Sequence, residues 1–497
     1  MYPWNDICFS ERCTILYYDT PLIRHFTINV YSLLDFVFIP DYITMFYYKF
    51  VNPKGDMSDS AAKLELLLKQ YRKNHHQISV NFRALEESIT SPDIYTHLIH
   101  PYTAKLLPHI PRFFLSNDIL SQRGDIVLDP FSGSGTVLLE GMLAQRNVIG
   151  ADCNPIARLI ARTKLSFISP VTLQDQLDDI MLHRHDNIDC PYPNVTNLAF
   201  WYTEKTIKKL QIIKLAIDNI TNKTVQDFFL TCFSNCTKKV SFANPDFTVP
   251  VKLNALNYAS NPTRQEKIRK LIEKIEDINV FDSFYGICVR NIKRIATIEH
   301  LHGMYYQMLD DAKALSTSSQ SLQSNSVQLI ITSPPYAGAQ KYIRSCSLGL
   351  GWLGFCEKMP LSAFKRQEIG REDFPLNEYT ELYPTNVRDA DRLLRSIYKE
   401  NPLRAHVASC YLREMRQVIL ESYRVLRQGG YMVLVAGNNK VCKHDFMTTK
   451  YLKTIAIQEG FKVKLSVIDD IKSRGLMTTR NKTASIINSE TVLLLKK

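Results

Sequence analysis

The chain has 497 residues, 45% of them hydrophobic and 22% charged, with a formal net charge of +12. These proportions exclude a disordered or low-complexity chain, and the length exceeds what a single ordinary core fills. The basic excess favours a polyanionic partner. It is uneven: residues 1–56 hold four Lys/Arg and six Asp/Glu, a net of −2, so the remainder carries +14.

The first 56 residues are aromatic-rich and acidic, without a clean helical or strand period. The apolar run from Phe26 to Val51 is interrupted by Asp35, Pro40 and Asp41, before the ~20 residues of a membrane span accumulate. No basic-then-apolar leader opens the chain. No membrane association is therefore expected, and a cytoplasmic location is. Met57 opens MSDSAAKLELLLKQYRKN, a Ser/Asp-started helix with Leu64, Leu66, Leu67 and Leu68. One expectation is that Met57 is the natural start and residues 1–56 an upstream extension; the other is an ordinary N-terminal cap. The eleven cysteines are scattered without paired CxxC clusters, which predicts free thiols in a reducing compartment and no metal site.

From Asp125 the pattern alternates. IVLD reads as a buried strand, TVLLEGMLAQ as a helix, NVIGAD as a strand and NPIARLIARTKLSF as a helix. That order predicts an α/β fold with a parallel, Rossmann-like sheet and right-handed crossovers. Residues 57–165 form the first part of this domain. Residues 166–300 read as a mostly helical insertion, with EKTIKKLQIIKLAI and PTRQEKIRKLIEKIEDI at helical spacing. Residues 301–497 return to sheet patterning in MYYQMLDDA, VQLIITSPPY, GGYMVLVAG, FKVKLSVID and ETVLLLKK, and complete the domain. Between Pro335 and Arg424 the sequence reads as irregular and locally basic. STSSQSLQSNS at 316–326 reads as a linker.

The stretch Asp129-Pro130-Phe131-Ser132-Gly133-Ser134-Gly135-Thr136 is a glycine turn between strand and helix. Its two glycines let backbone pass close to a ligand, and the helix start favours acceptors or negative charge. No Gly-Lys-Ser/Thr follows, so it is not a P-loop. Leu138 stands where a dinucleotide motif has its third glycine. Asp129 suits an ammonium or hydroxyl donor, and Asp152 at the next strand end suits a ribose diol. An amino group near one carboxylate and a ribose near another fit S-adenosylmethionine better than NAD.

LDPFSGSGT resembles the cofactor motif of amino-group DNA methyltransferases, which methylate N4 of cytosine or N6 of adenine. GADCNPIA is similar to their next strand. The resemblance implies S-adenosylmethionine bound by Asp129, Pro130, Phe131, Gly133, Gly135 and Thr136, with Asp152 on the ribose. HPYTAKLLPHIP, led by His100, resembles the segment folded against the methionine end of the cofactor, and MLDDAKAL suggests Asp311 beside the adenine. The resemblance covers roughly residues 78–165 and 300–497. One departure is Lys341, where related sequences often have Asp.

TSPPY, Thr332 to Tyr336, follows the apolar run VQLII. Two prolines fix φ and remove two N–H donors, which leaves carbonyls and the Ser333 hydroxyl as outward acceptors. Hydrogen bonds from an exocyclic amino group to Ser333 Oγ and the Pro334 carbonyl would pull its nitrogen toward tetrahedral geometry. Pro335 stiffens the turn, and Tyr336 would stack on a base rotated out of the duplex. In the family the Ser form of this motif leans toward cytosine N4. The expectation is a site-specific double-stranded DNA methyltransferase, possibly paired with a separate restriction endonuclease. Adenine-N6 methylation, an RNA base-amino methyltransferase and an inactive nucleic-acid-binding relative stay open. Candidate DNA-contacting segments are the 166–300 insertion, with Lys238, Lys239, Arg264, Lys267, Arg269, Lys270, Arg290, Lys293 and Arg294, and residues 340–410, with Lys365, Arg366 and Arg371.

Overall fold

The structure is a computed structural model that describes residues 12–15, 26–29, 57–187, 190–315, 322–338, 341–470 and 489–497. The chain divides into two compact units, Met1–Gly55 and Asp56–Lys497. In the first, β1 (Arg12–Ile15) pairs antiparallel with β2 (Phe26–Asn29). The rest of the 1–56 expectation, and most of the 316–326 linker, lies outside the described residues.

The second unit is built on one eight-stranded sheet in the order β3-β11-β12-β8-β7-β4-β5-β6. Its strands are β3 (Ile78–Val80), β4 (Ile126–Asp129), β5 (Asn147–Ala151), β6 (Tyr306–Leu309), β7 (Val327–Thr332), β8 (Leu426–Ala436), β11 (Lys462–Asp470) and β12 (Ser489–Lys496). The short hairpin β9 (Asn439–Val441) and β10 (His444–Phe446) lies outside it. From β8 to β6 neighbouring strands run parallel. The predicted parallel sheet needs one amendment: β12 is antiparallel to both β8 and β11. Consecutive strands that pair antiparallel need no crossover helix.

Strand residues alternate between two cores, as the two-residue period of a strand requires. Val127, Leu329, Ile331, Val433 and Val435 face Leu64, Phe113 and Phe114 of the helices Met57–Asn74 and His109–Leu115. Leu128, Ile330, Met432 and Leu434 face Leu412, Met415 and Ile455 of the helices Pro402–Val425 and Thr448–Gln458. Burial on both faces explains why IVLD and VQLII are continuous apolar runs. The insertion is helical, as expected. The helices Pro170–Leu182, Glu204–Asp218, Lys223–Lys239 and Val280–Ala296 share one apolar core with the helix Pro155–Leu165. Cys232, Cys236 and Cys288 are buried free thiols within it.

The region from Pro335 to Arg424 corrects the irregular reading. It contains the helices Ser347–Trp352, Leu361–Gln367, Arg388–Glu400 and most of Pro402–Val425. The last buries Ala408, Tyr411, Leu412, Met415, Val418, Ile419 and Ser422. That stripe is helical in period, but small and polar residues interrupt it and blur its apolar contrast. Among the described residues, no helix is long and apolar enough to cross a membrane.

Candidate active site

The strand order reverses at β4. Its neighbours are β5, which follows it in the chain, and β7, which comes after the whole insertion. In such sheets ligands bind beyond the carboxyl ends of the strands on either side of that point. A cleft of about 900 Å3, counting the part open to solvent, lies there. Asp129 to Ser134 wall it from the end of β4, Asp152 and Asn154 from β5, Asp311 from β6, and Ser333 and Pro335 from β7. The glycine turn and the proline turn, about 200 residues apart in the chain, thus face one space.

The two turns are joined directly. Thr332 Oγ1 donates to Asp129 Oδ1 at 2.7 Å, and the Phe131 N–H donates to the same oxygen at 3.0 Å. Asp129 is only 3% exposed. Burial pushes its carboxyl up to about 7, against the opposing pull of those two hydrogen bonds. Asp152 accepts the Gly133 N–H on Oδ2 at 3.0 Å and the Asn154 N–H on Oδ1 at 2.8 Å. Burial raises it to about 6. Gly133 sits at φ +49°, and a Cβ there would touch the Tyr102 ring at 3.5 Å. The Tyr102 hydroxyl accepts from Asn154 Nδ2 at 3.3 Å, and its ring lies nearly parallel to that of Tyr342.

The helix Thr136–Leu143 behind the turn is fixed by a buried ion-pair group. Glu140 accepts Arg112 Nε at 2.7 Å and contacts His97 Nε2 at 2.7 Å. Burial opposes ionisation of Glu140, but Arg112 and His97 outweigh it and hold the carboxyl below its usual range.

Of the sequence-predicted residues, Asp129, Pro130, Phe131, Gly133, Thr136, Asp152, Asp311, Ser333 and Pro335 line the cleft. Gly135 caps the helix from φ +78° behind the lining, and Pro334 is buried. Tyr336 turns its hydroxyl onto Glu490 Oε1 at 2.9 Å, and it is not among the lining residues. His100 does not line the cleft either. It is buried, both ring nitrogens lack a partner among the described residues, and burial drives its pKa down to about 3. Its neighbours Tyr102, Lys105 and Leu106 form that wall instead.

Sequence reasoning missed Tyr102, Lys105, Ser134, Asn154, Tyr342 and Glu368. The first two lie inside the HPYTAKLL phrase, two and five residues beyond the residue singled out. Glu368 was masked by its basic surroundings, FKRQEIGRE. Several basic residues assigned to DNA already hold protein groups. Arg294 pairs with Asp93 at 2.8 Å, Arg371 with Glu414 at 2.7 Å, and Lys238 donates to the Thr248 carbonyl at 2.8 Å. Lys267, Arg290, Lys293 and Arg366 are exposed.

The lining suits a donor-rich cation. Three buried or half-buried carboxylates, Asp129, Asp152 and Glu368, face the same space as Lys105, whose own pKa burial lowers to about 8. Ser134 Oγ is buried at the cleft without a partner among the described residues, an atom that a ligand would satisfy.

A mostly parallel sheet with acceptors at its switch point and a glycine turn opening the helix after β4 is a Rossmann-like arrangement. Comparison with known families narrows the class. Residues 108–162, which span the glycine turn and Asp152, match the family model described as DNA methylase. Type II methyltransferase M.MvaI of Kocuria varians is 22% identical over 430 residues, 81% of this chain and 91% of that protein. M.MjaII of Methanocaldococcus jannaschii is 44% identical over 71 residues, 14% of this chain and 13% of that one. M.BsoBI of Geobacillus stearothermophilus is 24% identical over 263 residues, 48% of each. An rRNA methyltransferase structure from Streptomyces viridochromogenes aligns over 84% of this chain and 96% of its own, with 10% identity and a TM-score of 0.28, too low to bear on fold or substrate. Residues 108–162 thus carry a DNA methylase signature, and the relatives that match over more of the chain are Type II methyltransferases.

Proposed function

We propose that this protein transfers a methyl group from S-adenosylmethionine to cytosine N4 at a specific site in duplex DNA, as the modification half of a restriction-modification pair. The Type II methyltransferases that share most of its length support the pairing. The observation that carries the chemistry is the single cleft walled by both Asp129 and Ser333. The Ser-Pro-Pro-Tyr form of the turn supports cytosine over adenine.

When bound, S-adenosylmethionine supplies a methyl group on a positively charged sulfur. Asp129, Asp152 and Asp311 are the acceptors on this chain for its amino group, ribose and adenine. Gly133 keeps the cradle free of a side chain, Gly135 lets the helix start behind it, and Thr136 and Phe131 complete its floor. On the opposite wall, Ser333 Oγ makes no hydrogen bond among the described residues, so it is free to accept from a base amino group. The Pro334 carbonyl is the second acceptor. Together they would draw the amino nitrogen's lone pair out of conjugation, and fixed acceptors of this kind accelerate reaction through orientation and electrostatics. Tyr336, anchored through Glu490, would offer its ring to the extruded base. Exposed lysines and arginines of the 166–300 insertion and of residues 340–410 would contact phosphates.

The test is incubation with labelled cofactor and either duplex DNA or RNA, followed by digestion to nucleosides. Label in N4-methylcytidine from DNA is expected. Label in N6-methyladenine would move the target base, label confined to RNA would change the substrate, and no label anywhere would remove the activity.

A further inference from the structure

We propose that Glu368 is a cofactor-binding residue, sharing the ribose diol with Asp152 and tying the cofactor to the segment that follows the proline turn. The inference rests on the methyltransferase reading above and goes beyond it, because it gives a role to a residue outside every recognised motif.

Glu368 lies just after the helix Leu361–Gln367, far in the chain from the glycine turn. The fold nonetheless brings it, with Gln367 and Ile369, into the wall of the same cleft. Asp152 bears electrostatically on Glu368, and Asp152, Glu368 and Asp311 all act on Cys153, which also lines the cleft. Oε1 of Glu368 accepts the Ile343 N–H at 2.9 Å, and the Tyr342 main-chain N–H also acts on the carboxylate. No cationic side chain makes an ion pair with it among the described residues. Asp152 repels the Glu368 carboxylate and Lys365 offsets this in part, so a ligand with hydroxyl donors would relieve the pair. Each Asp152 oxygen already takes one main-chain N–H. A vicinal diol has two donors, and two carboxylates in one cleft can each accept one.

The segment that carries Glu368 is also the one that closes on the proline turn. The Gly338 N–H donates to the Gly370 carbonyl at 3.0 Å. A Cβ at Gly370 would fall 2.7 Å from the Tyr336 carbonyl oxygen, so the two main chains meet there without room for a side chain. Glu372, two residues on, pairs with Lys341 at 3.4 Å and Arg404 at 2.6 Å. A diol held by Glu368 would thus brace the turn that receives the base.

The experiment measures binding of S-adenosylmethionine, and of an analogue lacking both ribose hydroxyls, to the full-length protein and to two variants. Glu368→Ala removes the carboxylate. Glu368→Gln keeps the acceptor for the Ile343 N–H and tests charge alone, and the melting temperature of each free variant reports folding. Losing a hydrogen bond to a charged group should raise the dissociation constant for S-adenosylmethionine about tenfold or more in Glu368→Ala. Glu368→Gln should fall between it and the wild type. On the analogue the variants and the wild type should bind alike. Unchanged affinity for the natural cofactor in both variants would overturn the proposal, as would an equal loss on the analogue. Failure of the wild type to bind S-adenosylmethionine would instead remove the underlying reading, and this proposal with it.

Discussion

Thr332 Oγ1 donates to Asp129 Oδ1 across adjacent parallel strands, at 2.7 Å and with Thr332 wholly buried. The bond fixes the last residue of β7 to the last residue of β4. The residues that follow each are the proline turn and the glycine turn, so one hydrogen bond sets the distance between the two halves of the site. Thr332→Val keeps the shape and removes the donor. A buried carboxylate that loses a donor should cost about 1–3 kcal/mol of stability. Urea unfolding should show this loss, and methyl transfer at saturating cofactor should fall as the turns lose their registration. Wild-type values in both measurements would show that the bond fixes nothing.

Ser333 lines the cleft and makes no hydrogen bond among the described residues. Ser333→Ala should cut methyl transfer by about 10²-fold or more, as removal of a positioned polar group at a reacting centre does. Cofactor binding should persist, because the cradle on β4 and β5 is untouched. A matching loss of cofactor affinity would place Ser333 in the cofactor site rather than at the base.

Asp129 gives a pH signature with a definite sign. Its folded carboxyl titrates near 7 because it is buried, whereas the unfolded one titrates in the usual range near 3.8. Between those values the folded state holds the proton and the unfolded state does not. This group therefore favours folding at low pH and withdraws that support as pH rises toward 7. Asp129→Asn keeps an acceptor for Thr332 and Phe131 and cannot titrate. The melting temperature of the free wild type, compared with this variant, should decline more steeply from pH 5 to 7.5. Cofactor affinity should move the other way and strengthen over that window, since the ionised form is the better acceptor. Parallel melting profiles for the two proteins would show that Asp129 does not titrate there.

Glu140 works with the opposite sign. Arg112 and His97 hold its carboxyl below the usual range, so its contribution is present near neutrality and is lost as pH falls through the folded pKa. Arg112→Met leaves the carboxylate buried with only His97 beside it. Breaking one partner of a buried pair costs about 3–5 kcal/mol. Urea unfolding at pH 7 should show a loss of that order, shrinking in acid. A loss below about 1 kcal/mol, the scale of an exposed pair, would show that the group is not structural.

The sheet was legible in the sequence because its strands are buried on both faces, so IVLD, NVIGAD and VQLII stand out as short apolar runs. The two halves of the site were legible for a related reason. Glycines at positive φ and paired prolines mark backbone that must take a special path. The third wall was not. Tyr342 opens a four-residue helix and Glu368 follows a seven-residue one, each burying a single residue, and no local pattern announces a side chain that becomes functional only by tertiary placement. His100 shows the converse. The phrase that contains it does form a wall, but Tyr102 and Lys105 face the cleft while His100 turns into the protein.

The two glycines of the turn should fail differently when substituted. At Gly135, φ is +78° and a Cβ would lie 3.1 Å from Ala161 Cβ and 3.3 Å from its Cα, in the helix Pro155–Leu165. Strain in the left-handed region costs about 1–2 kcal/mol, and the crowded backbone contact adds to it. At Gly133, φ is +49° and the nearest atom, on the Tyr102 ring, lies at an ordinary 3.5 Å. Gly133→Ala should therefore unfold at a higher urea concentration than Gly135→Ala. Its cost should appear in cofactor binding, because its new methyl stands at the cleft wall whereas that of Gly135 points behind it. Titration with S-adenosylmethionine should show the greater loss in Gly133→Ala even though it is the more stable variant. The reverse ranking in either measurement would show that the turn does not present Gly133 to the ligand.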